Sequence, residues 1–410
     1  MKYICPLPWN HISIMPSGTS SICCSANHKN STSFAKTNND TIINANTDSI
    51  EQIVNSSTYR QIRKDMLAGI QNKACETCYS VERNNGVSKR QQLLTTVLPE
   101  TINEYKNITN KDGTIVPAIE NVELRLGNIC NLKCRTCNSD SSTSWISDSI
   151  KLKDTVPLTS YYDKNAIRYK LPWFKNPRFY DDLSQHMSNV KIVNINGGEP
   201  FLINDHIYFI EKLKKYNKKN IILYYITNLN FDRKKVKKIL DLVKSLNLSK
   251  VIIACSIDDV TDRNTYIRSL SDWKLTLENL TFFIDNYSEF EINVVQTISV
   301  YNFMYVEELY NFLKNNNLMP NDGLKLNHVH SPIYLNANVL PIKIRQQKLN
   351  SIQTKIPDHL LNELKSIYYL GHDNGMFSMF KKFTINVDKI RGENFEKLFS
   401  KLHIIKEVTK

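Results

Sequence analysis

No stretch of the sequence approaches the roughly 20 apolar residues needed to span a bilayer. The opening MKYICPLPWN has neither the apolar h-region nor the cleavage site of a signal peptide. These absences point to a cytoplasmic chain with no membrane partner. No internal repeat is evident. An even cysteine complement is also missing: the nine cysteines are an odd number, which argues against a disulfide framework in a leaderless chain. Wholesale disorder is excluded by a hydrophobic fraction of 41% and an aromatic fraction of 10%.

The formal charge of +13 invites a nucleic-acid reading, because lysine and arginine release counterions from phosphate backbones. The lysines are scattered, however, as in Lys212, Lys214, Lys215, Lys218 and Lys219, and the chain is rich in Asn, Ile and Lys throughout. Solvated faces and an AT-biased coding sequence account for that pattern, and nucleic acid is not the expected partner.

What the chain does have is grouped thiols. Cys5, Cys23, Cys24, Cys75, Cys78, Cys130, Cys134 and Cys137 all precede residue 138, and only Cys255 stands apart. Grouped thiols in a reducing compartment indicate metal.

The 410 residues suggest two domains with a terminal appendage. Residues 1–95 carry five cysteines, a Ser/Thr/Asn-rich loop near 29–48 and a helix expected over Ile50–Leu67. A linker over 96–117, with a connector at Ile102–Pro117, leads to a second zone over 118–335. There Val122–Leu126, Ile192–Ile195, Ile221–Ile226, Val251–Ile257, Ile292–Val300 and Leu324–Val329 read as short buried strands. Amphipathic stretches such as Asp205–Tyr216 and Asp232–Ser245 lie between them. Apolar strands alternating with helices predict an α/β fold with a parallel sheet, here a partial (β/α)6 TIM-like barrel. Lys151–Asp182 reads as an insertion, and 336–410 as a mainly helical extension.

Cys130, Cys134 and Cys137 have the spacing C-x3-C-x2-C and begin four residues after the first predicted barrel strand. Active sites of such barrels lie at the C-terminal ends of the strands. Three thiolates are one short for structural zinc, but they suit a four-iron cluster with one iron left open.

In this position the motif resembles that of the radical S-adenosylmethionine superfamily. The resemblance implies an open iron chelated by the methionine end of S-adenosylmethionine. It also implies reductive cleavage to a 5′-deoxyadenosyl radical and hydrogen abstraction from a substrate. Asn196-Gly197-Gly198-Glu199-Pro200 follows the second strand and is similar to the family's GGEP segment. By that resemblance Gly197, Gly198 and Glu199 hold the cofactor's amino group. Asn228, after Thr227 at the end of the third strand, and Ser256 and Asp258 at the end of the fourth match cofactor-binding positions. Gln296 and Ile298 are candidates for the adenine surroundings. Thr136 departs from the aromatic residue commonly found before the third cysteine, which removes a stacking contact and leaves the ligands untouched.

Cys5, Gly18 and Cys23 have the spacing C-x12-G-x4-C, and Cys75 and Cys78 form a C-x2-C pair. Two thiol pairs read as one four-ligand site stapling a loop-rich lobe, filled by zinc or iron–sulfur. Trp9, Pro16 and Gly18 fit a hairpin, with Gly18 at its turn. The spacing resembles the opening of SPASM and twitch domains, here placed before the barrel. The resemblance implies an auxiliary iron–sulfur cluster on Cys5, Cys23, Cys75 and Cys78, with Cys24 a neighbour. It also implies an electron donor such as flavodoxin or ferredoxin.

Cys255 reads as a small buried hydrophobe. Arg83 and Gly86–Arg90 read as an exposed linker helix, with a substrate-binding role as the alternative. His328 and His330 share a face at the sixth strand's end, where structural and catalytic roles are both open. Ser331–Pro341 is a candidate to lid or line the pocket. The function implied is hydrogen abstraction from a peptide or protein side chain. Alternatives are a sugar or nucleotide-sugar dehydratase or epimerase, and an RNA-modifying or RNA-binding iron–sulfur protein.

Overall fold

Alternation of apolar and polar residues builds the first strands of the sheet. In the computed structural model, which describes residues 3–27, 31–83, 86–95, 99–153, 155–156, 172–216, 218–320, 323–368 and 374–402, eight strands form one mostly parallel sheet. They are β1 (His11–Ile14), β2 (Ser20–Ser21), β3 (Asn121–Leu126), β4 (Ile192–Gly197), β5 (Ile222–Thr227), β6 (Lys250–Ser256), β7 (Glu291–Ile298) and β8 (Leu324–His328). Their order is β2-β1-β3-β4-β5-β6-β7-β8. Strands β3 to β8 thus follow chain order, which is the α/β architecture of the partial-barrel type expected from the sequence. Each of the six lies within two residues of its expected bounds.

The N-terminal residues enter the same sheet. Strand β1 pairs parallel with β3 in the register His11↔Asn121 to Ile14↔Leu124, and β2 folds back antiparallel on β1. Without β1, the outer backbone groups of β3 would be left unpaired.

Two compact units can be distinguished. The first comprises Met1–Gly127, Arg168–Tyr225 and Lys235–Val251. Within it Ile12, Ile14, Val122, Leu124, Val193, Ile195, Leu223 and Tyr225 are fully buried on one face of the sheet. The opposite face carries Ser13, Glu123, Asn194 and Tyr224 in one cross-strand row. Strands β3 and β4 are therefore two-faced, not apolar throughout. The helix expected over Ile50–Leu67 is two helices, Ile50–Val54 and Ser57–Leu67. Ser56 adopts φ −55°, ψ 153° and caps the second, while Asn55 exchanges hydrogen bonds with the Ile115 backbone at 2.9 and 3.0 Å. Part of the expected connector, Pro99–Ile108, is helical.

The second unit comprises Asn128–Ile167, Ile226–Lys234 and Ile252–Lys410. Strands β6, β7 and β8 alternate along the chain with helices such as Trp273–Asn286 and Val306–Asn315. The chain then runs through Ile342–Ile352, Asp358–Tyr368 and Asn374–Arg391. Phe380, Phe395 and Phe399 from this tail pack around Tyr301, with ring centroids 5.3 to 6.0 Å away. Residues 154 and 157–171 of the expected insertion lie outside the described residues. Among those described, no helix is long and apolar enough to cross a membrane.

Candidate functional site

Strand β3 ends at Leu126, and Gly127 makes the turn that follows. Its φ is +56°, and a Cβ there would meet Phe174 Cε1 at 2.5 Å. The chain then enters the cysteine loop. The Asn128 side chain donates to Ser139 O at 3.0 Å, Ser144 Oγ donates to Cys130 O at 2.8 Å, and Trp145 Nε1 donates to Cys134 O at 2.7 Å. The Cys137 N–H closes a turn on Cys134 O at 3.0 Å.

These ties bring the three thiols into mutual electrostatic reach. Burial pushes the Cys134 thiol up to about 11; Arg268 pulls it down and Cys130 pushes it further up. Burial, then Cys134, pushes Cys137 up to about 12. Thiols held protonated in this way release their protons when a cation replaces them. Cys130 Sγ receives the Leu132 N–H at 3.4 Å and the Asn228 amide at 3.6 Å, donors that favour a sulfur anion. Asn228 also bonds Asn131 at 2.9 Å, so this candidate does stand against the cysteine loop.

Asp258 is fully buried and held by protein donors: Thr297 N–H at 2.9 Å on one oxygen, Arg268 Nη1 at 3.0 Å on the other. Gln296 donates to the Asp258 carbonyl at 3.0 Å, and Ile298 is buried. Asp258 thereby braces Arg268, the cation facing Cys134. Arg268 is a site residue that no signal in the sequence singles out, because nothing local distinguishes a buried arginine from a solvated one. Ser256 closes β6 and is partly exposed.

In the first unit, Gly197 has φ +136°, and a Cβ there would lie 2.6 Å from Leu126 N. Gly198 N–H donates to Gly127 O at 3.1 Å. Glu199 is fully buried and accepts the Phe201 N–H at 3.2 Å. The first glycine is thus demanded by the close approach of β4 to the end of β3.

The N-terminal thiols also converge. The β1–β2 hairpin turns at Gly18 (φ +82°), as expected, and presents Cys23 just after β2. Cys75 ends the Lys73–Cys75 turn, and Cys78 lies in the Glu76–Arg83 helix. Burial pushes Cys5 up to about 12, with Cys78 adding to the rise. Cys75 is likewise pushed up to about 12 by burial, with Cys5 and Cys78 adding. Cys23 is raised well above the usual thiol range by burial, then by Cys24, Cys5 and Cys75. Cys24 has a separate partner, the Lys89 amine, 2.7 Å from its sulfur.

The expectation of an exposed linker helix at Gly86–Arg90 is corrected here. Ser88 and Arg90 are buried. Arg90 pairs with Glu82 at 2.5 Å and donates to Ile4 O at 3.1 Å, beside Cys5. The Glu82 carboxylate draws Arg90 inward, and the Cys24 sulfur takes the Lys89 amine. Arg83, paired with Glu76, and Val87 remain at the surface.

Cys255 is completely buried in β6. Burial, with His330 adding, lowers His328 to about 4. Ser331–Pro341 packs on the unit's core: Leu335 O accepts the Val300 N–H at 2.9 Å, and Tyr334 and Ala337 are buried.

Among the described residues, no three His, Cys, Asp or Glu side chains are already arranged around a common metal position. What the fold assembles is two sets of free thiols. Their sulfur-only chemistry fits iron–sulfur ligation.

Residues 5–79 match SPASM, an iron–sulfur cluster-binding domain. The match bears out the expectation of a SPASM-like iron–sulfur domain in the cysteine-rich first zone of the chain. No curated protein matches the chain. Among solved structures, the chain is similar to one described as "Native anSMEcpe with bound AdoMet", at 16% identity over 58% of this chain and 60% of that one, with a TM-score of 0.39. A second, of the same protein with AdoMet and a Cp18Cys peptide, is 17% identical over the same shares, with a TM-score of 0.38. The chain therefore spans about 60% of the length of the solved structures it matches.

Proposed function

We propose that this chain is a radical S-adenosylmethionine enzyme acting on a peptide or protein side chain. The observation that carries the reading is the loop after β3. It gathers Cys130, Cys134 and Cys137, sets two N–H donors on the Cys130 sulfur, and buries Arg268 beside Cys134. Cys130, Cys134 and Cys137 would hold a four-iron, four-sulfur cluster. When bound, that cluster supplies the electron that cleaves S-adenosylmethionine and releases a radical able to take hydrogen from carbon.

The chain's own residues do the rest. Trp145 and Ser144 fix the carbonyls of the ligand loop, and Asn228 orients the loop through Asn131. By resemblance, Gly197, Gly198 and Glu199 would take the cofactor's amino group, and Asn228, Ser256 and Asp258 its ribose or carboxylate. We assign residues 1–95 to an auxiliary-cluster domain with Cys5, Cys23, Cys75 and Cys78 as ligands, 96–117 to a linker, 118–335 to the barrel and 336–410 to an extension. Lys89 occupies Cys24, which supports Cys23 as the fourth ligand. The peptide class rests on the SPASM-like lobe, and an electron donor of the flavodoxin or ferredoxin kind would complete the system.

The test is reductive cleavage. Under anaerobic conditions with dithionite, the reconstituted protein should convert S-adenosylmethionine to 5′-deoxyadenosine, and Cys134→Ala should not. Equal product from both proteins would refute the assignment.

A further inference from the structure

Arg135 lies between two of the clustered thiols, and its side chain is fully buried. Its N–H donates to Ile267 O at 2.7 Å and its Nε to Tyr266 O at 3.2 Å, while the guanidinium lies 3.6 Å over the Tyr266 ring. Nη2 donates to Asp388 Oδ1 at 2.5 Å and also to Glu393. These two acids lie 253 and 258 residues further along the chain.

A second tie comes from the same segment. Arg391 donates to Asp148 at 2.7 Å, and Asp148 also takes Lys133 at 3.2 Å. Arg391 reaches Ser269 Oγ at 2.8 Å and lies 4.5 Å over the Trp145 ring, the indole that holds Cys134 O. Ser269 in turn accepts the Lys133 N–H at 3.0 Å on its carbonyl and donates its hydroxyl to Glu393 at 2.8 Å. Lys133, Cys134 and Arg135 are each gripped, and the grips lead to three charged side chains of one short stretch.

Buried charges persist only when paired, so the arrangement is all-or-none: removing one partner strands the other. Ligands of a metal centre must be held to within about half an ångström by supporting contacts, which a free loop does not provide.

We propose that Asp388, Arg391 and Glu393 form a clamp of positioning residues that fixes the Lys133–Cys137 stretch, so that its thiols are kept close enough to take up a cluster. The proposal rests on the reading of these thiols as cluster ligands. Asp388 and Glu393 also offset the charge of Arg135, so neutralising both leaves an added cation beside the cluster and favours its electron-rich, reduced state.

The experiment uses the full chain and has two arms. In the first, the metal-free, reduced protein is treated with iodoacetamide, and alkylation is followed by mass spectrometry at Cys134, Cys137 and Cys255. Cys255 is buried in the same unit outside the loop and reports global loosening. In the Asp388→Asn/Glu393→Gln variant, Cys134 and Cys137 should react on the order of tenfold faster relative to Cys255, the signature of local opening. Asp388→Glu, which keeps the charge, should stay near wild type. In the second arm, the reconstituted double variant should show an upward shift in cluster midpoint potential and an altered electron paramagnetic resonance line shape. A parallel rise at all three thiols, or no rise at any, overturns the clamp. Iron uptake by the wild-type chain is scored separately: its absence at these thiols refutes the cluster assignment, while the alkylation ratio still decides the clamp.

Discussion

The indole N–H of Trp145 is bonded to the carbonyl oxygen of Cys134 at 2.7 Å, deep in the second unit. Trp145→Phe keeps a ring in place and deletes only the donor, leaving the Cys134 carbonyl with the Cys137 N–H alone. We expect a stability loss of about 0.5–1.5 kcal/mol, the usual net worth of one hydrogen bond. Urea unfolding of the metal-free protein measures it, and iron retained after gel filtration should fall as well. Unchanged values on both counts would remove this contact from the account.

Gly197→Ala should be far more damaging than Gly392→Ala. Both positions have positive φ, but a Cβ at Gly197 meets the Leu126 backbone nitrogen at 2.6 Å, whereas nothing lies within 4 Å at Gly392. The strain common to both costs about 1 kcal/mol, and the backbone collision adds about 1–3 kcal/mol at Gly197 only. Denaturation midpoints of the two variants make the comparison, and equal losses would contradict it.

Acid should destabilise the fold before it protonates the buried histidines. His206 is completely buried: the neutral ring donates Nδ1–H to Ile203 O at 2.5 Å and accepts the Tyr225 hydroxyl at Nε2 at 3.0 Å. Burial lowers it from the ordinary 6.5 to about 4. Above pH 6.5 the ring is neutral in both states and its contribution is fully present. As pH falls from 6.5 towards 4, only the unfolded chain takes the proton, and on the order of 3 kcal/mol is lost. Unfolding midpoints between pH 7.5 and 4.5 should show this slope, and His206→Phe should flatten it. An identical slope in the variant would place the acid sensitivity elsewhere.

Cys23→Ser and Cys24→Ser should part company. Lys89 holds the Cys24 sulfur at 2.7 Å, while Cys23 shares its surroundings with Cys5 and Cys75. Reconstituted wild type should carry about eight irons per chain if both sites are four-iron clusters. Cys23→Ser should lose about half of them, and Cys24→Ser almost none. About four irons with one zinc in the wild type would replace the auxiliary cluster with a structural metal site.

The six barrel strands were legible because each is a short run, apolar throughout or at alternate residues, bounded by polar residues, and local pattern decides such elements. The cysteine sets were legible because spacing is local too. Arg268, Lys89 and the Arg135–Asp388 pair were not. Each is an ordinary charged residue whose burial is set by partners far away in sequence. The break in the Ile50–Leu67 stretch was equally hidden, since Asn55 leaves the helix to bond Ile115, a residue reachable only after folding. The hairpin that carries β1 was expected, but its place in the barrel sheet was not, because HISI is four residues long and its partner in β3 lies 110 positions downstream.

That short strand bears on how the chain could have been assembled in evolution and how it can be dissected at the bench. The SPASM-like lobe is not a bead on a string. Its β1 covers the flank of β3, so a fragment beginning near residue 118 would expose that flank as a bare, parallel-competent edge. Such edges recruit other chains. Separate expression of the barrel would therefore yield a self-associating fragment, and a lobe exchanged between relatives would have to carry a matching strand as well as matching cysteines.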